Sequence, residues 1–155
     1  MVDKRLSDGR RIAQLLASEL TGDRGPLARI VVVDADPAAE PTVDGTRAYR
    51  VVRVASEEAL AVDDRGETTI EAAEADTADL AAVFLQPDRA RIEFAVVPET
   101  AAAAAERAGL RVRPKAVEPP RTLVFVEDGA EVKRAREVFR AVVAALVDDT
   151  ARGAA

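Results

Sequence analysis

The chain has 155 residues, of which 48% are hydrophobic and 32% are charged, and this length fits one domain with a core of its own. Its 22 basic residues are outnumbered by 28 acidic ones, so the net charge is −6. Histidine and cysteine are absent, which excludes disulfides, zinc sites of the Cys/His type, haem held by histidine, and any nucleophile paired with a histidine.

The first predicted element is a helix that Ser7 or Asp8 caps and that Gly22 ends in a left-handed turn. Apolar residues follow one another at helical spacing in this stretch: Ile12, Leu15, Leu16 and Leu20. Such a stripe has to pack on something, so we expect the helix to cover a sheet or a partner.

Short apolar runs separated by turn residues predict strands in the middle of the chain, most of them in an antiparallel meander of four to five strands. Arg47 and Tyr49 alternate with Ala48, so we expect them to share one face. By the same alternation Glu93 faces away from Phe94, and we expect it to be exposed to solvent. The runs are Leu27–Val33, Arg47–Ala55, Ala59–Val62, Thr68–Ala72, Ala81–Gln86 and Arg91–Val97, with tight turns at 63–66 and at 87–89.

The last third of the chain is predicted to contain two helices and two strands. Pro98 opens a helix through the alanine run and Gly109 closes it. Leu110–Val117 is a predicted strand that Pro114 confines to a sheet edge, whereas Thr122–Val126 is apolar enough for a central strand. A final amphipathic helix is predicted from about Ala130 to Val147, with a polar or small-residue tail behind it.

Together these elements predict a single α+β domain over residues 1–150, followed by a frayed tail at 151–155. We expect a mainly antiparallel sheet of about five to seven strands, covered on one face by the N-terminal helix, the Ala-rich helix and the C-terminal helix. If the opposite face is bare, a homodimer is the natural way to cover it.

Charge is distributed unevenly along the chain. Between Arg107 and Arg140 there are nine basic and five acidic residues, whereas the whole chain has more acidic than basic residues. Arg111, Arg113 and Lys115 fall on one face of a predicted strand, where like charges repel one another unless anions or acids meet them. One interpretation is therefore a site for phosphate or nucleic acid at Arg107, Arg111, Arg113, Lys115 and Arg121.

A simpler interpretation of the same basic strand is that acids elsewhere in the chain, or across a dimer, pair with it. We favour this interpretation, because the chain is rich in acids and because aromatic residues are not interleaved with the basic ones as they are in single-strand binders.

Two acidic residues, Asp34 and Asp36, follow the first predicted strand. Two carboxylates at this spacing can share Mg²⁺ or Ca²⁺, but no further ligands follow them, and an acidic turn explains them as well. No catalytic set of residues is predicted and no cofactor is implied.

The opening stretch DKRLSDGRRIAQLLASEL and the acidic, alanine-rich body behind it resemble small conserved domains of unknown function from salt-loving archaea. The resemblance implies a halophilic, cytoplasmic setting and carries no site residues. A GC-rich genome is the competing explanation of the composition. No apolar run is long enough to span a membrane, and no signal peptide is recognisable.

Two functions from different classes remain. The first is a non-enzymatic binding or assembly module, with a homodimer or a protein as partner, that acts through a sheet face or a terminal helix. The alternative is a regulatory phosphate or nucleic-acid binder that uses the Arg111, Arg113 and Lys115 face.

Overall fold

The computed structural model describes residues 8–22, 27, 29–54, 60–62, 68–70 and 77–153. In chain order its elements are α1 (Gly9–Gly22), β1 (Ile30–Val33), β2 (Thr46–Val54), β3 (Leu60–Val62), β4 (Thr68–Ile70), β5 (Thr77–Gln86), β6 (Arg89–Phe94), α2 (Pro98–Arg107), β7 (Arg111–Lys115), β8 (Arg121–Val126) and α3 (Glu131–Gly153). The predicted α+β class, with helices at both ends, is confirmed.

Six strands form one fully antiparallel sheet in the order β1-β2-β5-β6-β8-β7. β3 and β4 pair only with each other within the described residues. The prediction that this hairpin belongs to the meander is therefore wrong, because β2 pairs directly with β5 and leaves the hairpin as an insertion between them. The turn predicted at 63–66 lies outside the described residues.

Three helices cover one face of the sheet. α3 lies between α1 and α2 and contacts both. Its apolar stripe is buried among the strands and the other helices, and the rings of Phe139 and Phe94 lie 4.8 Å apart. Burial of a side chain of this size contributes about 1.5–3 kcal/mol to the free energy of unfolding. The stripe consists of Val132, Ala135, Val138, Phe139, Val142 and Val143.

The start of α1 sits directly on the turn between β5 and β6. The Asp8 carboxylate accepts hydrogen bonds from the backbone N–H groups of Arg10 at 2.9 Å and Arg11 at 3.4 Å, and so caps the helix. A Cβ atom at Gly9 would overlap the backbone oxygens of Gln86 and Arg89. Glycine at this position lets the helix approach the sheet closely, which fixes where α1 lies.

A β-bulge in β2 changes which side chains share a face. Arg47 pairs with Phe84 and Tyr49 with Val83, which leaves Ala48 as the extra residue. The prediction that Arg47 and Tyr49 share a face is therefore wrong. Tyr49 is buried beneath α1, whereas Arg47 is exposed and level with Phe84 on the face without helices.

Several element boundaries differ from the predictions. β5 begins at Thr77 instead of Ala81, and β6 begins at Arg89, inside the predicted turn, instead of Arg91. Gly22 is the last residue of α1 and does not adopt the predicted left-handed conformation. β1 begins at Ile30, since Leu27 is a buried turn residue before it. β6 ends at Phe94, and Val97 takes a left-handed conformation with φ of 37° before α2. α3 continues past Val147 to Gly153; fraying of 151–155 concerns motion and stays a prediction. β7 is an edge strand and β8 an internal one, as expected.

Candidate functional site

The face of the sheet opposite the helices carries a row of alternating arginine and phenylalanine residues. The strand register places Arg47 of β2 beside Phe84 of β5, then Arg91 of β6, Phe125 of β8 and Arg111 of β7. Five neighbouring strands each contribute one residue, so the row crosses about 19 Å of sheet at the usual strand spacing.

A second row runs parallel to the first, from Arg50 through Ala82, Glu93 and Leu123 to Arg113. We call this side of the five strands the cationic face. Its basic residues are Arg47, Arg50, Arg89, Arg91, Arg111, Arg113, Lys115 and Arg121, and the carboxylates that pair with them are Asp34, Asp79, Glu93 and Glu127. Eight positive charges therefore meet four negative ones among the described residues.

Glu93 is the buried anion of this face. Its side chain is 3% exposed and forms ion pairs with Arg91 at 3.1 Å, Lys115 at 3.2 Å and Arg121 at 3.7 Å. The prediction that Glu93 faces solvent is wrong. It does point away from Phe94, but the three basic side chains close over it, because a carboxylate at that depth has to be paired.

Arg91 lies against the face and is bound there by several groups. Its guanidinium lies 4.6 Å from the centre of the Phe84 ring and donates a hydrogen bond of 2.9 Å to the carbonyl oxygen of Asp44. The backbone at Gly45 has φ of 95°, and a Cβ there would lie 2.9 Å from Arg91 Nη1. Glycine thus lets this loop lie directly on the guanidinium, whose side chain is 15% exposed.

Arg89 covers the second phenylalanine. Its guanidinium lies 4.2 Å from the centre of the Phe125 ring, and its Nε donates to Gln86 Oε1 at 2.9 Å. Glu127 pairs with Arg89 and with Arg111, at 3.4 Å in each case. Phe125 is consequently 5% exposed, even though no helix lies over it.

The structure brings together four of the five predicted phosphate-site residues. Arg111, Lys115 and Arg121 are 57%, 43% and 41% exposed, and Arg113, also exposed, makes no ion pair with any described residue. Arg107 is separate: it lies in the last turn of α2, in the helical layer on the opposite side of the sheet.

Sequence reasoning missed Arg47, Arg50, Arg89 and Arg91, as well as the two phenylalanines. The alternation of polar and apolar residues from Arg91 onward indicated that Arg91 shares a face with Glu93, but the predicted turn hid Arg89. The aromatic residues seemed unrelated to the basic ones because each lies on a different strand. The cross-strand register alone interleaves them.

The two predicted metal ligands, Asp34 and Asp36, interact with other groups of the protein. Asp34 pairs with Arg50 at 2.7 Å, and this hydrogen bond raises the pKa of the Arg50 guanidinium, with Asp79 adding to the effect. Asp36 accepts a hydrogen bond from the backbone N–H of Ala38 at 2.9 Å. No group of three or more possible metal ligands converges anywhere in the described part of the chain, and the metal site stays a prediction.

A groove of about 610 Å³ lies between α1 and the segment that follows β1. Alanines line much of it, and two of its polar residues have partners within the fold: Arg10 donates to the carbonyl of Ala39 at 2.7 Å, and the Tyr49 hydroxyl donates to the carbonyl of Ala13 at 2.7 Å. Burial raises the pKa of that hydroxyl well above its usual range. These polar groups stabilise the fold rather than face a ligand.

A model of a family of unknown function, DUF7993, matches residues 1–154. The chain belongs to the DUF7993 family. This confirms the expected unknown-function domain, while the salt-loving archaeal origin stays a prediction. No curated protein matches this DUF7993 chain, and no solved structure matches it either. No helix in the described ranges is both long and apolar enough to cross a bilayer.

Proposed function

We propose that this chain is a non-enzymatic binding module whose cationic face binds a polyanion, namely nucleic acid, through its phosphate groups. The observation that carries the proposal is the excess of positive charge on this face of an otherwise acidic protein. Among the described residues, eight basic side chains of this face share four carboxylates, which leaves an excess of four positive charges that a ligand can meet. Arrays of basic residues supply most of the affinity for a phosphate backbone.

Ion pairs between described residues do not neutralise the face. Glu93 offers one negative charge to three cations, and Glu127 offers one to two. Arg113 adds a further positive charge beside Leu123. Of the three residues on the basic strand, Arg111 and Lys115 pair with acids of the chain, as that interpretation expects, whereas Arg113 has no ion-pair partner among the described residues. Because Glu93 and Glu127 are each shared with further cations, the excess positive charge supports an external anion.

A second copy of the chain is a poor occupant of this face. In a two-fold dimer the same surface meets itself, so the arginines of one copy would lie against those of the other. The terminal helices also offer little apolar surface for self-assembly, because their apolar stripes are already buried in the core of this chain. These two points favour an anionic ligand over self-assembly; a homodimer stays a prediction.

The proposal is tested by titrating the chain into a short, fluorescently labelled single-stranded DNA at several salt concentrations. With four phosphates neutralised, the logarithm of the association constant should fall with the logarithm of salt with a slope of about −3. The series starts at low salt, because that slope lowers affinity about a thousandfold between 0.1 and 1 M. Absence of binding at low salt, or a slope near zero, would contradict the proposal.

A further inference from the structure

The two phenylalanines of the cationic face are covered by arginines and so are closed to other rings. Proteins that bind single strands by stacking present open aromatic rings to the bases. Here the guanidinium of Arg89 lies over Phe125, and that of Arg91 lies over Phe84, at 4.2 and 4.6 Å from the ring centres. The ring faces that a base would need are therefore already occupied.

These arginines are also fixed in place. Arg91 is bound by Glu93 and by the carbonyl of Asp44, and the loop at Gly45 lies against it. Arg89 is bound by Gln86 and Glu127. A base that displaced either guanidinium would break an ion pair, a hydrogen bond and a cation–π contact together, each of which stabilises the resting arrangement.

The exposed positive charges, in contrast, have the spacing of an extended chain. Arg111, Arg113 and Lys115 occupy alternate positions of one edge strand, about 6.8 Å apart. Their side chains are the accessible ones, and Arg121 lies opposite Lys115 on the next strand. A linear polymer with one negative charge per repeat can contact them in succession.

From these observations we infer that the face binds the phosphodiester backbone of nucleic acid and does not contact the bases. The inference rests on the proposed function and adds to it that binding is independent of base identity and even of the presence of bases. The cation–π pairs then hold the two guanidiniums against the sheet, where their positive charge attracts phosphate groups. Neither the guanidiniums nor the phenylalanine rings contact a base.

The test compares three fluorescently labelled strands of equal length in the same low-salt buffer. The first carries ordinary bases, the second carries abasic sites at every central position, and the third is the ordinary strand in a duplex. We expect the ordinary and abasic strands to bind with dissociation constants within about twofold of each other, since counterion release depends on phosphates. An acidic peptide of the same charge serves as competitor.

Three other results would overturn the inference, and they are distinguishable. A loss of tenfold or more with the abasic strand would show that bases are contacted, while leaving the proposed function intact. Failure of all three nucleic acids to bind would remove the proposed function as well. Nearly complete displacement of the strand by the acidic peptide at equal charge concentration would show that the face prefers an acidic protein segment to a phosphodiester backbone.

Discussion

Reversing the charge of Arg113 should weaken polyanion binding without disturbing the fold. Arg113 is exposed on an edge strand and has no ion-pair partner among the described residues, so its replacement breaks no ion pair between them. For a single strand, each phosphate contact adds about −0.7 to the slope of the logarithm of the association constant against the logarithm of salt, so one contact strengthens binding about fivefold at 0.1 M relative to 1 M salt. Because Arg113→Glu changes the charge by two, we expect binding to weaken about 25-fold and the salt slope to fall from about −3 to about −1.4.

The assay is fluorescence anisotropy with the same labelled strand, and Arg107→Glu is the matched control. It makes the same change of charge at an exposed residue, but in the helical layer on the other side of the sheet. We expect its dissociation constant to stay within about twofold of the parent, since exposed charges more than a Debye length away are screened. Equal effects of the two variants would refute the reasoning, because net charge and not the cationic face would then set the affinity.

Three further predictions concern the support of this face and of the core. Glu93→Gln removes the buried anion of the cationic face, so it should lower the free energy of unfolding by about 2–3 kcal/mol, less than for a fully buried pair because Lys115 and Arg121 are partly exposed. It should also tighten strand binding about fivefold at 0.1 M salt, and weaker binding by a folded variant would contradict the account. Burial raises the pKa of the Tyr49 hydroxyl, so the stability that this neutral hydroxyl contributes is fully present below pH of about 10 and is lost as the pH rises further. Tyr49 is the only tyrosine of the chain, and we expect no tyrosinate absorbance until the chain unfolds. Tyrosinate absorbance in the folded chain near pH of about 10 would disprove the burial. Gly9→Ala should lower the free energy of unfolding, measured by chemical denaturation, by about 1–3 kcal/mol, because the added methyl group overlaps the β5–β6 turn. Gly22→Ala is the control: open space surrounds this position, so the variant should be neutral or stabilising. Equal effects of the two variants would show that α1 does not dock as described.

The helices and most strands could be predicted from the sequence because their determinants are local. Asp8 caps α1 through its own side chain, Pro98 and Gly109 bound α2, and Pro114 keeps β7 at the edge. The stripe of α3 repeats every three to four residues and is buried as expected. Each of these features acts over a few residues, so the chain order alone reveals it.

The candidate site was predicted only in part because it depends on register between distant strands. The basic face of β7 is visible in one strand, but the Arg–Phe row needs five strands aligned to the residue. A single bulge at Ala48 decides that Arg47 joins this row. Glu93 is buried because side chains from β7 and β8 reach over it. None of these relations leaves a pattern along the sequence.

The most direct test of the cationic face is nuclear magnetic resonance of the isotopically labelled chain during titration with the short single-stranded DNA. We predict that the shifts of backbone amides and arginine side chains change on β6, β7 and β8, with the largest changes at Arg111, Arg113 and Lys115. Changes confined to the groove beside α1, or no changes under conditions in which the strand binds, would contradict the assignment of binding to this face.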